Sequence, residues 1–235
     1  MTTFVLVHGS FHGLWQWGPL LAELDRRGQR AVCVDLPLDD PAADAVDYAQ
    51  AAMSQIASRL AVDDEIAIVG HSLAGYVIPF LAETLPARHL IFLAAALQVG
   101  LFPNLPPHAD MALMPADAVE VTNDGLAHLP ADVARTRLYQ DLGQGLQDWA
   151  CAQLRKQGLK GLLSGEAGRC RSPRVAASTL CSYVVCADDH AVSPDWGRAV
   201  IKAVPRLQGH ELPGGHSPFL GCPAQLADLL VRITG

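Results

Sequence analysis

Short apolar runs rich in β-branched residues alternate with helical patterns along most of this 235-residue chain. The runs cover residues 4–7, 31–34, 65–69, 89–93 and 182–186, with a weaker sixth near residues 206–212. The helical patterns cover residues 15–27, 44–60, 73–85, 195–204 and 223–233. Such runs are typical of strands that are buried on both faces of a parallel sheet. The alternation therefore predicts an α/β fold with a doubly wound, mainly parallel sheet of about six strands.

The stretch from Gln98 to about Arg174 interrupts this alternation. It contains no convincing strand, its first third is rich in proline, and its remainder has helical patterns, for instance over residues 130–139 and 144–157. A structureless loop of this length is uncommon inside a compact domain. We therefore predict one domain over residues 1–235, with a helical cap inserted at about residues 98–174.

Charge and composition limit the partners that the chain can take. Only 17% of the residues are charged and the net charge is -7, which favours neither nucleic acid nor an anionic membrane surface. The N-terminus lacks a basic signal-peptide region, and the longest apolar run, residues 90–97, is too short to span a bilayer. The six cysteines form no CxxC pair, so free thiols are favoured over a disulfide framework. We expect a cytoplasmic protein with a small-molecule partner, whereas the oligomeric state is not predictable.

The strongest local signal is the sequence IAIVGHSLAGY at residues 66–76, a buried strand that passes through a small-residue turn into an apolar helix. A serine at such a turn, here Ser72, projects its hydroxyl above the sheet edge, toward the first amides of the helix. The G-x-S-x-G pattern is imperfect, because Ala74 occupies the last place and Gly75 follows it. An ordinary strand-to-helix turn with an exposed serine is the alternative interpretation.

Two later loops supply partners for this serine. Asp189 follows the predicted strand at residues 182–186, and His216 follows the last predicted strand in a glycine-containing loop. A serine hydroxyl needs a histidine to accept its proton and a carboxylate to hold the imidazole. Distance from the strand favours Asp189 over its neighbour Asp188 as the acid. A surface position in the loop is the alternative for His216.

Stabilising the oxyanion of an acyl-transfer intermediate requires two backbone N–H groups. One would come from Leu73, directly after the serine, and the other from Ser10 in the glycine-containing loop at residues 8–13. This loop lacks the spacing of nucleotide-binding glycine motifs, so a plain turn is the main alternative. Neither a cofactor nor a metal site is predicted.

Apolar residues of the predicted cap either line a substrate pocket or seal the cap against the sheet. Sealing is the more common role for residues of this type. The candidate pocket residues are Phe102, Met114, Leu138 and Trp149 of the cap, together with His12 of the loop at residues 8–13.

The quoted segments resemble the α/β-hydrolase superfamily, namely residues 4–13, 70–75, 183–189 and 214–219, with Trp15 and Trp17. More narrowly, they look like the branch that contains plant methyl-salicylate and methyl-ketone esterases, hydroxynitrile lyases and bacterial alkyl-salicylate-type esterases. The resemblance implies the α/β-hydrolase fold with an inserted helical cap. It also implies Ser72 as nucleophile, His216 as base, Asp189 as acid, and the Ser10 and Leu73 amides as oxyanion donors.

The sequence departs from the lyases of this branch at two places. Those enzymes carry a lysine directly after the catalytic histidine and a threonine after the first-loop histidine, where this chain has Ser217 and Gly9. We therefore expect a serine carboxylesterase that acts on a small apolar or aromatic ester without a cofactor. The alternative is a cofactor-free lyase or an acyl-transfer or chain-release enzyme with the same triad. A ligand-binding, receptor-like protein is a third hypothesis.

Overall fold

A computed structural model of the chain describes residues 2–61, 63–98, 100–102, 104–114, 117–164 and 170–235. Its strands in chain order are β1 (Thr2–Val7), β2 (Arg30–Val34), β3 (Glu65–His71), β4 (Ala87–Leu93), β5 (Glu120–Val121), β6 (Leu126–His128), β7 (Gln157–Gly158), β8 (Leu180–Cys186) and β9 (Leu207–Leu212). Its α-helices are α1 (Gly18–Arg26), α2 (Ala45–Ile56), α3 (Ile78–Leu81), α4 (Ala131–Arg137), α5 (Gln144–Ala152), α6 (Leu159–Leu162), α7 (Pro194–Ala203), α8 (Pro218–Gly221) and α9 (Pro223–Thr234). Short 3₁₀ helices cover Leu14–Trp17, Ser72–Tyr76 and His108–Asp110.

The described part of the chain forms one sheet of six parallel strands in the order β2-β1-β3-β4-β8-β9. Each apolar run identified in the sequence lies in one of these strands, so the predicted doubly wound α/β sheet is confirmed. The strand order places the carboxyl ends of β1, β3, β8 and β9 along one edge. In open α/β sheets this edge is where ligands bind.

Helices cover both faces of the sheet and create two hydrophobic cores. Val5 and Val7 of β1 belong to the core beneath α2, α3 and α7, whereas Phe4 and Leu6 belong to the core beneath α1 and α9. This alternation is the two-residue period of a strand that is buried on both sides. It explains why the run at β1 is apolar throughout.

Two predicted helices are each divided into a 3₁₀ turn and a shorter α-helix. The pattern at residues 15–27 becomes the Leu14–Trp17 turn followed by α1, and the pattern at residues 73–85 becomes the Ser72–Tyr76 turn followed by α3. In both places a proline stands in the first turn of the new α-helix. Proline has no N–H to donate to the preceding turn, so it favours a fresh helix start at these positions.

The segment between β4 and β8 contains α4, α5 and α6, and also a small antiparallel sheet in the order β5-β6-β7. The insertion contains helices, as predicted, but the sequence gives no sign of these three strands. Each strand is two or three residues long, which is too short to show a two-residue period. The helix predicted at residues 144–157 ends at Ala152, because Gln157 pairs with β6 instead.

No helix in the described ranges combines the length and apolar character that crossing a bilayer requires. All six cysteines lie within those ranges and are free thiols, as the sequence predicts.

Candidate active site

Ser72 stands directly after β3 and begins the 3₁₀ turn Ser72–Tyr76. Its φ angle is +53°, in the left-handed region that side chains other than glycine rarely adopt. Such a conformation costs about 1–3 kcal/mol, and residues held in this way are concentrated at functional sites. The sharp turn therefore presents the Ser72 hydroxyl at the carboxyl edge of the sheet.

Small residues around Ser72 make this turn possible. A Cβ atom at Gly70 would lie 2.7 Å from Cγ2 of Ile78 and 2.9 Å from the carbonyl oxygen of Ala74. A Cβ atom at Gly75 would overlap the carbonyl oxygen of Ala96. The methyl group of Ala74 is fully buried without displacing its neighbours. Among the residues after Ser72, the one whose backbone leaves no room for a side chain is therefore Gly75. The G-x-S-x-G pattern has its last glycine one residue earlier, at the position of Ala74.

Asp189 and His216 form a buried hydrogen-bonded pair beside this turn. Nδ1 of His216 donates to Oδ2 of Asp189 over 2.8 Å, and both side chains are at most 2% exposed. Oδ1 of Asp189 accepts the backbone N–H groups of Ala191 (2.7 Å) and Val192 (2.9 Å). Because Nδ1 carries the donated proton, Nε2 of a neutral His216 is left as a proton acceptor.

Asp188, the competing acid from the sequence, bonds to the loop backbone, whereas Asp189 is the carboxylate that bonds to His216. The side chain of Asp188 is exposed, and Oδ2 accepts the N–H of Gly214 over 3.4 Å. Asp188 and Asp189 are consecutive, so the tight turn after β8 sends their side chains in different directions. Asp189 is the neighbour that the turn brings to the imidazole.

The cap holds the loops of Asp189 and His216 through their backbones. Nε2 of Gln140 donates to the carbonyl oxygen of Asp188 over 2.7 Å, and Oδ2 of Asp141 accepts the N–H of Gly215 over 2.6 Å. These two residues follow α4, and the groups that they bind directly precede Asp189 and His216 in the chain. The positions of the two side chains therefore depend on the cap as well as on the sheet.

The loop after β1 approaches Ser72 so closely that Gly9 has no room for a side chain. A Cβ atom at Gly9 would lie 2.9 Å from both Cβ of Ser72 and Nδ1 of His71. The absence of a side chain lets the next residue, Ser10, reach the cavity in front of Ser72.

Several hydrogen bonds fix the backbone of this loop. Phe11 has a φ angle of +60°, a left-handed conformation for a bulky residue. Its N–H donates to Oε1 of Gln157 over 3.1 Å, and its carbonyl oxygen accepts the N–H of Arg155 over 2.8 Å. Nδ1 of the buried His8 donates to the carbonyl oxygen of Gly9 over 3.0 Å. The peptide that carries the Ser10 N–H is therefore held at its other end by a buried histidine.

Two further buried histidines surround His216 and are neutral at ordinary pH. Burial holds the pKa of His71 well below its usual value and lowers the pKa of His12 to about 3. Nε2 of His71 donates to the backbone carbonyl oxygen of His216 over 2.9 Å. The two rings support the loop of His216 without adding positive charge.

A cavity of about 180 Å³ joins these groups. Ser72, His216, Ser10 and Leu73 all line it, and most of the remaining wall is apolar. None of the described residues that line it is Asp, Glu, Lys or Arg. Among the described residues, no cluster of three or more His, Cys, Asp or Glu side chains has the arrangement of a metal site.

The five pocket candidates from the sequence separate into two groups. His12, Met114 and Leu138 line the cavity. Phe102 does not, because its ring packs edge-on against Phe92 in the core beneath α2, α3 and α7, with 6.1 Å between centroids. Trp149 does not either, because it lies on the surface, 43% exposed. The structure therefore places Phe102 and Trp149 outside the wall of this cavity.

Other wall residues were missed by the sequence analysis. They include Val119, Leu162, Ala191 and Val192. Ala191 and Val192 follow Asp189 so closely that their place near the site could have been inferred. The others come from the cap, where an apolar side chain gives no sequence signal that distinguishes a pocket wall from a packed interface.

Comparison with known proteins gives one family match and many relatives. The sequence model of the alpha/beta hydrolase family matches residues 4–229. Methylesterase 7 of Arabidopsis thaliana is 26% identical, over 98% of this chain and 95% of its own length. An alpha-hydroxynitrile lyase of Arabidopsis thaliana is 28% identical, over 98% and 96%. The crystal structure of polyneuridine aldehyde esterase superposes with a TM-score of 0.81 at 20% identity, over 100% of both chains.

Proposed function

The chain belongs to the alpha/beta hydrolase family, and from that membership we propose that it is a serine carboxylesterase that hydrolyses small apolar or aromatic esters through an acyl-enzyme on Ser72. One observation carries the proposal. The buried Asp189–His216 pair opens onto the same apolar cavity as a serine held in a left-handed turn. Esterases among the relatives, such as Methylesterase 7, support the same activity.

In the first half of the reaction, Nε2 of His216 accepts the proton of the Ser72 hydroxyl while Oγ bonds to the ester carbonyl carbon. Asp189 keeps the imidazole in the required tautomer and stabilises the imidazolium that forms. Negative charge then develops on the carbonyl oxygen, where the N–H groups of Ser10 and Leu73 stabilise it. Both residues line the cavity beside Ser72.

In the second half, the imidazolium of His216 donates its proton to the departing alcohol oxygen as the carbon–oxygen bond breaks. This leaves an ester between Ser72 and the acyl group. A water molecule then attacks that ester, giving its proton to His216 and its oxygen to the acyl carbon. His216 returns the proton to Ser72, and the carboxylic acid leaves.

The cavity wall indicates the substrate class. A charged group in this cavity would lose water without gaining an ion pair from any described wall residue, which is costly. Aliphatic or aromatic acyl groups instead gain contacts with side chains such as Met114, Leu138 and Val192. We therefore propose uncharged esters with compact apolar groups.

Cyanohydrin cleavage is disfavoured at two positions. Ser217 follows His216 and is neutral, where lyases of this type carry a lysine. A threonine in place of Gly9 would put its Cβ atom 2.9 Å from Cβ of Ser72. Acyl transfer or chain release with the same triad differs from hydrolysis in the group that leaves Ser72 or attacks the acyl-enzyme, so product analysis separates these reactions.

We also propose a cytoplasmic location, because the six cysteines are free thiols, as is common in reducing compartments. The partner is a small ester, and neither nucleic acid nor a membrane takes part.

Hydrolysis of p-nitrophenyl acetate and butyrate tests the proposal, with Ser72→Ala as the critical variant and Ser54→Ala, at an exposed position of α2, as the matched control. We expect Ser72→Ala to lose about 10⁴-fold or more in kcat. Ser54→Ala keeps the full rate. Full activity of Ser72→Ala would contradict the nucleophile. Failure of the wild type to cleave any simple ester, with turnover of β-hydroxy ketones or acyl acceptors, would favour the lyase or transferase alternative.

A further inference from the structure

A chain of hydrogen bonds runs from the cap to the loop after β1. The hydroxyl of Tyr139 lies 2.9 Å from Nε2 of His12, and Nδ1 of His12 lies 2.6 Å from the carbonyl oxygen of Ser10. Tyr139 is fully buried and His12 is 1% exposed. The two side chains therefore interact out of contact with bulk water.

The chemistry of the end group fixes the direction of this chain. A carbonyl oxygen can only accept, so Nδ1 of His12 must carry the hydrogen that Ser10 receives. Burial lowers the pKa of His12 to about 3, and the neutral ring has a single N–H. Nε2 must then accept, and Tyr139 must donate. Burial also raises the pKa of Tyr139, so its hydroxyl keeps the proton that it donates.

The opposite tautomer of His12 would be incompatible with this loop. It would direct the lone pair of Nδ1 at the carbonyl oxygen of Ser10 across 2.6 Å, and the two atoms would repel each other. The ring cannot easily turn aside, because it stacks on Trp15 at 5.1 Å between centroids and meets Phe219 edge-on at 6.2 Å. The peptide between Ser10 and Phe11 would have to rotate instead.

Rotation of that peptide would disturb the oxyanion donor. The N–H of this peptide belongs to Phe11 and donates to Gln157, and its carbonyl oxygen belongs to Ser10 and accepts from His12. These two hydrogen bonds together restrain the backbone directly after the Ser10 amide. A displacement of about 1 Å in a positioned catalytic group can cost about 100-fold in rate. Tyr139, which holds the ring of His12 and does not line the cavity, therefore influences the rate without touching the substrate.

We propose that Tyr139 and His12 are positioning residues for the oxyanion hole: the cap hydroxyl donates to Nε2 and holds the ring of His12, and Nδ1 of His12 fixes the Ser10 peptide. The inference rests on the proposed function, because it takes the Ser10 amide as an oxyanion donor. It assigns the cap a part in the rate of the chemical step, in addition to enclosing the substrate.

Three variants test the positioning role of His12 and Tyr139. His12→Asn keeps an N–H close to the place of Nδ1, His12→Leu fills similar space without a donor, and Tyr139→Phe removes the hydroxyl alone. For p-nitrophenyl acetate, we expect His12→Leu to lower kcat by about 10- to 100-fold with KM changed less than about threefold. His12→Asn retains most of the rate. Tyr139→Phe loses about 10-fold in kcat, because the buried Nε2 of His12 is then left without a donor and the ring is held less firmly against Ser10.

Two measurements separate positioning from simple loss of stability. The inhibition constant of a trifluoromethyl ketone, which forms an oxyanion on Ser72, should rise in parallel with the loss of kcat/KM, whereas the melting temperatures should not follow that order. Nitrogen NMR of the wild-type imidazoles should show His12 neutral with its proton on Nδ1. A proton on Nε2, or unchanged kcat in His12→Leu with equal melting temperature, would overturn the proposal.

The labelling rate of Ser72 by a fluorophosphonate keeps this inference separate from the ester substrate. Labelling also develops charge on an oxygen in the oxyanion hole but requires no ester. If wild-type protein is labelled but cleaves no ester, the proposed function fails. The ratio of labelling rates between wild type and His12→Leu then still tests whether His12 positions the oxyanion hole. We expect that ratio to be about 10 or more. Equal labelling rates of wild type and His12→Leu would refute the positioning role of His12, even if the wild type is an active esterase.

Discussion

Asp189 binds His216 with one carboxylate oxygen, over 2.8 Å, and uses the other oxygen to accept two backbone N–H groups. Three hydrogen bonds thus hold a carboxylate that is almost completely buried. Several hydrogen bonds to one carboxylate restrict its orientation. The imidazole of His216 therefore faces an acceptor whose position is set by the turn after β8.

This relationship predicts a large difference between two neighbouring substitutions. Asp189→Asn should lower kcat by about 10⁴-fold, because an amide at this place no longer holds the required tautomer of His216. Asp188→Asn is the matched control and should change kcat by less than about twofold, since its side chain is exposed and His216 bonds to Asp189 instead. Steady-state kinetics on p-nitrophenyl butyrate compares the two. A larger loss in Asp188→Asn would reverse the assignment of the acid.

A methyl group at Gly75 should destabilise the fold and disturb the turn of Ser72. The added atom would overlap the backbone oxygen of Ala96, so the turn and the segment that follows β4 would have to separate. We expect Gly75→Ala to reduce the free energy of unfolding by about 1–3 kcal/mol or more. Gly145→Ala in α5 is the control, because a Cβ atom there meets nothing within 4 Å, and it should stabilise by up to about 1 kcal/mol. Urea unfolding of both variants measures the effect, and equal stability would contradict the close approach.

Stability should fall in mild acid partly because of His89. Nε2 of this buried ring lies 2.9 Å from the hydroxyl of Ser182. Burial, together with the nearby His210 and Arg88, lowers the pKa of His89 to about 4. The unfolded chain takes up this proton near pH 6.5 but the folded chain does so only near pH 4, so the contribution is lost as the pH falls through that interval.

His89→Gln removes the titration and can keep a hydrogen bond to Ser182. We expect its loss of unfolding free energy between pH 7 and pH 5 to be smaller than that of the wild type by up to about 1 kcal/mol, allowing for screening by nearby solvent. Urea titrations at both pH values measure this difference. Identical pH dependence in the two proteins would show that His89 does not contribute.

The cavity wall should control the preference for acyl length. Met114 lines the cavity, so Met114→Ala should extend the space and raise the kcat/KM ratio of p-nitrophenyl octanoate to acetate by about 3- to 10-fold. Trp149→Ala is the control. It removes a larger apolar side chain from the surface and should leave the ratio within about twofold, because Trp149 contacts Trp15 outside the cavity. A stronger effect of Trp149→Ala would return that residue to the pocket.

The sequence predicted the features that depend on short stretches of chain. The sheet followed from apolar runs, and Ser72 and His216 could be proposed because each has a recognisable strand and turn around it. The choice between Asp188 and Asp189 was different, because it depends on the direction in which one turn sends each side chain. That direction depends on the N–H groups of Ala191 and Val192 and on a histidine 27 residues away.

The cap was predictable as an insertion but not in its detail. Phe102 and Trp149 are as apolar as Met114, and an apolar side chain can pack in a core, lie on a surface or line a cavity. The small sheet exists because distant segments meet, as when Leu126 pairs with Gly158. Likewise, nothing local marks Tyr139 as the partner of His12, which precedes it by 127 residues.

The contacts of Gln140 and Asp141 carry a consequence for protein engineering. Both side chains bind main-chain atoms, so they hold the loops of Asp189 and His216 independently of which other side chains those loops carry. A chimera that received a foreign cap to change its substrate range would lose this attachment unless the graft reproduced an amide and a carboxylate at these two positions. Replacing the whole cap is therefore harder than changing the residues that line its cavity. A foreign cap must reproduce the two residues after α4 that bind the backbones of Asp188 and Gly215.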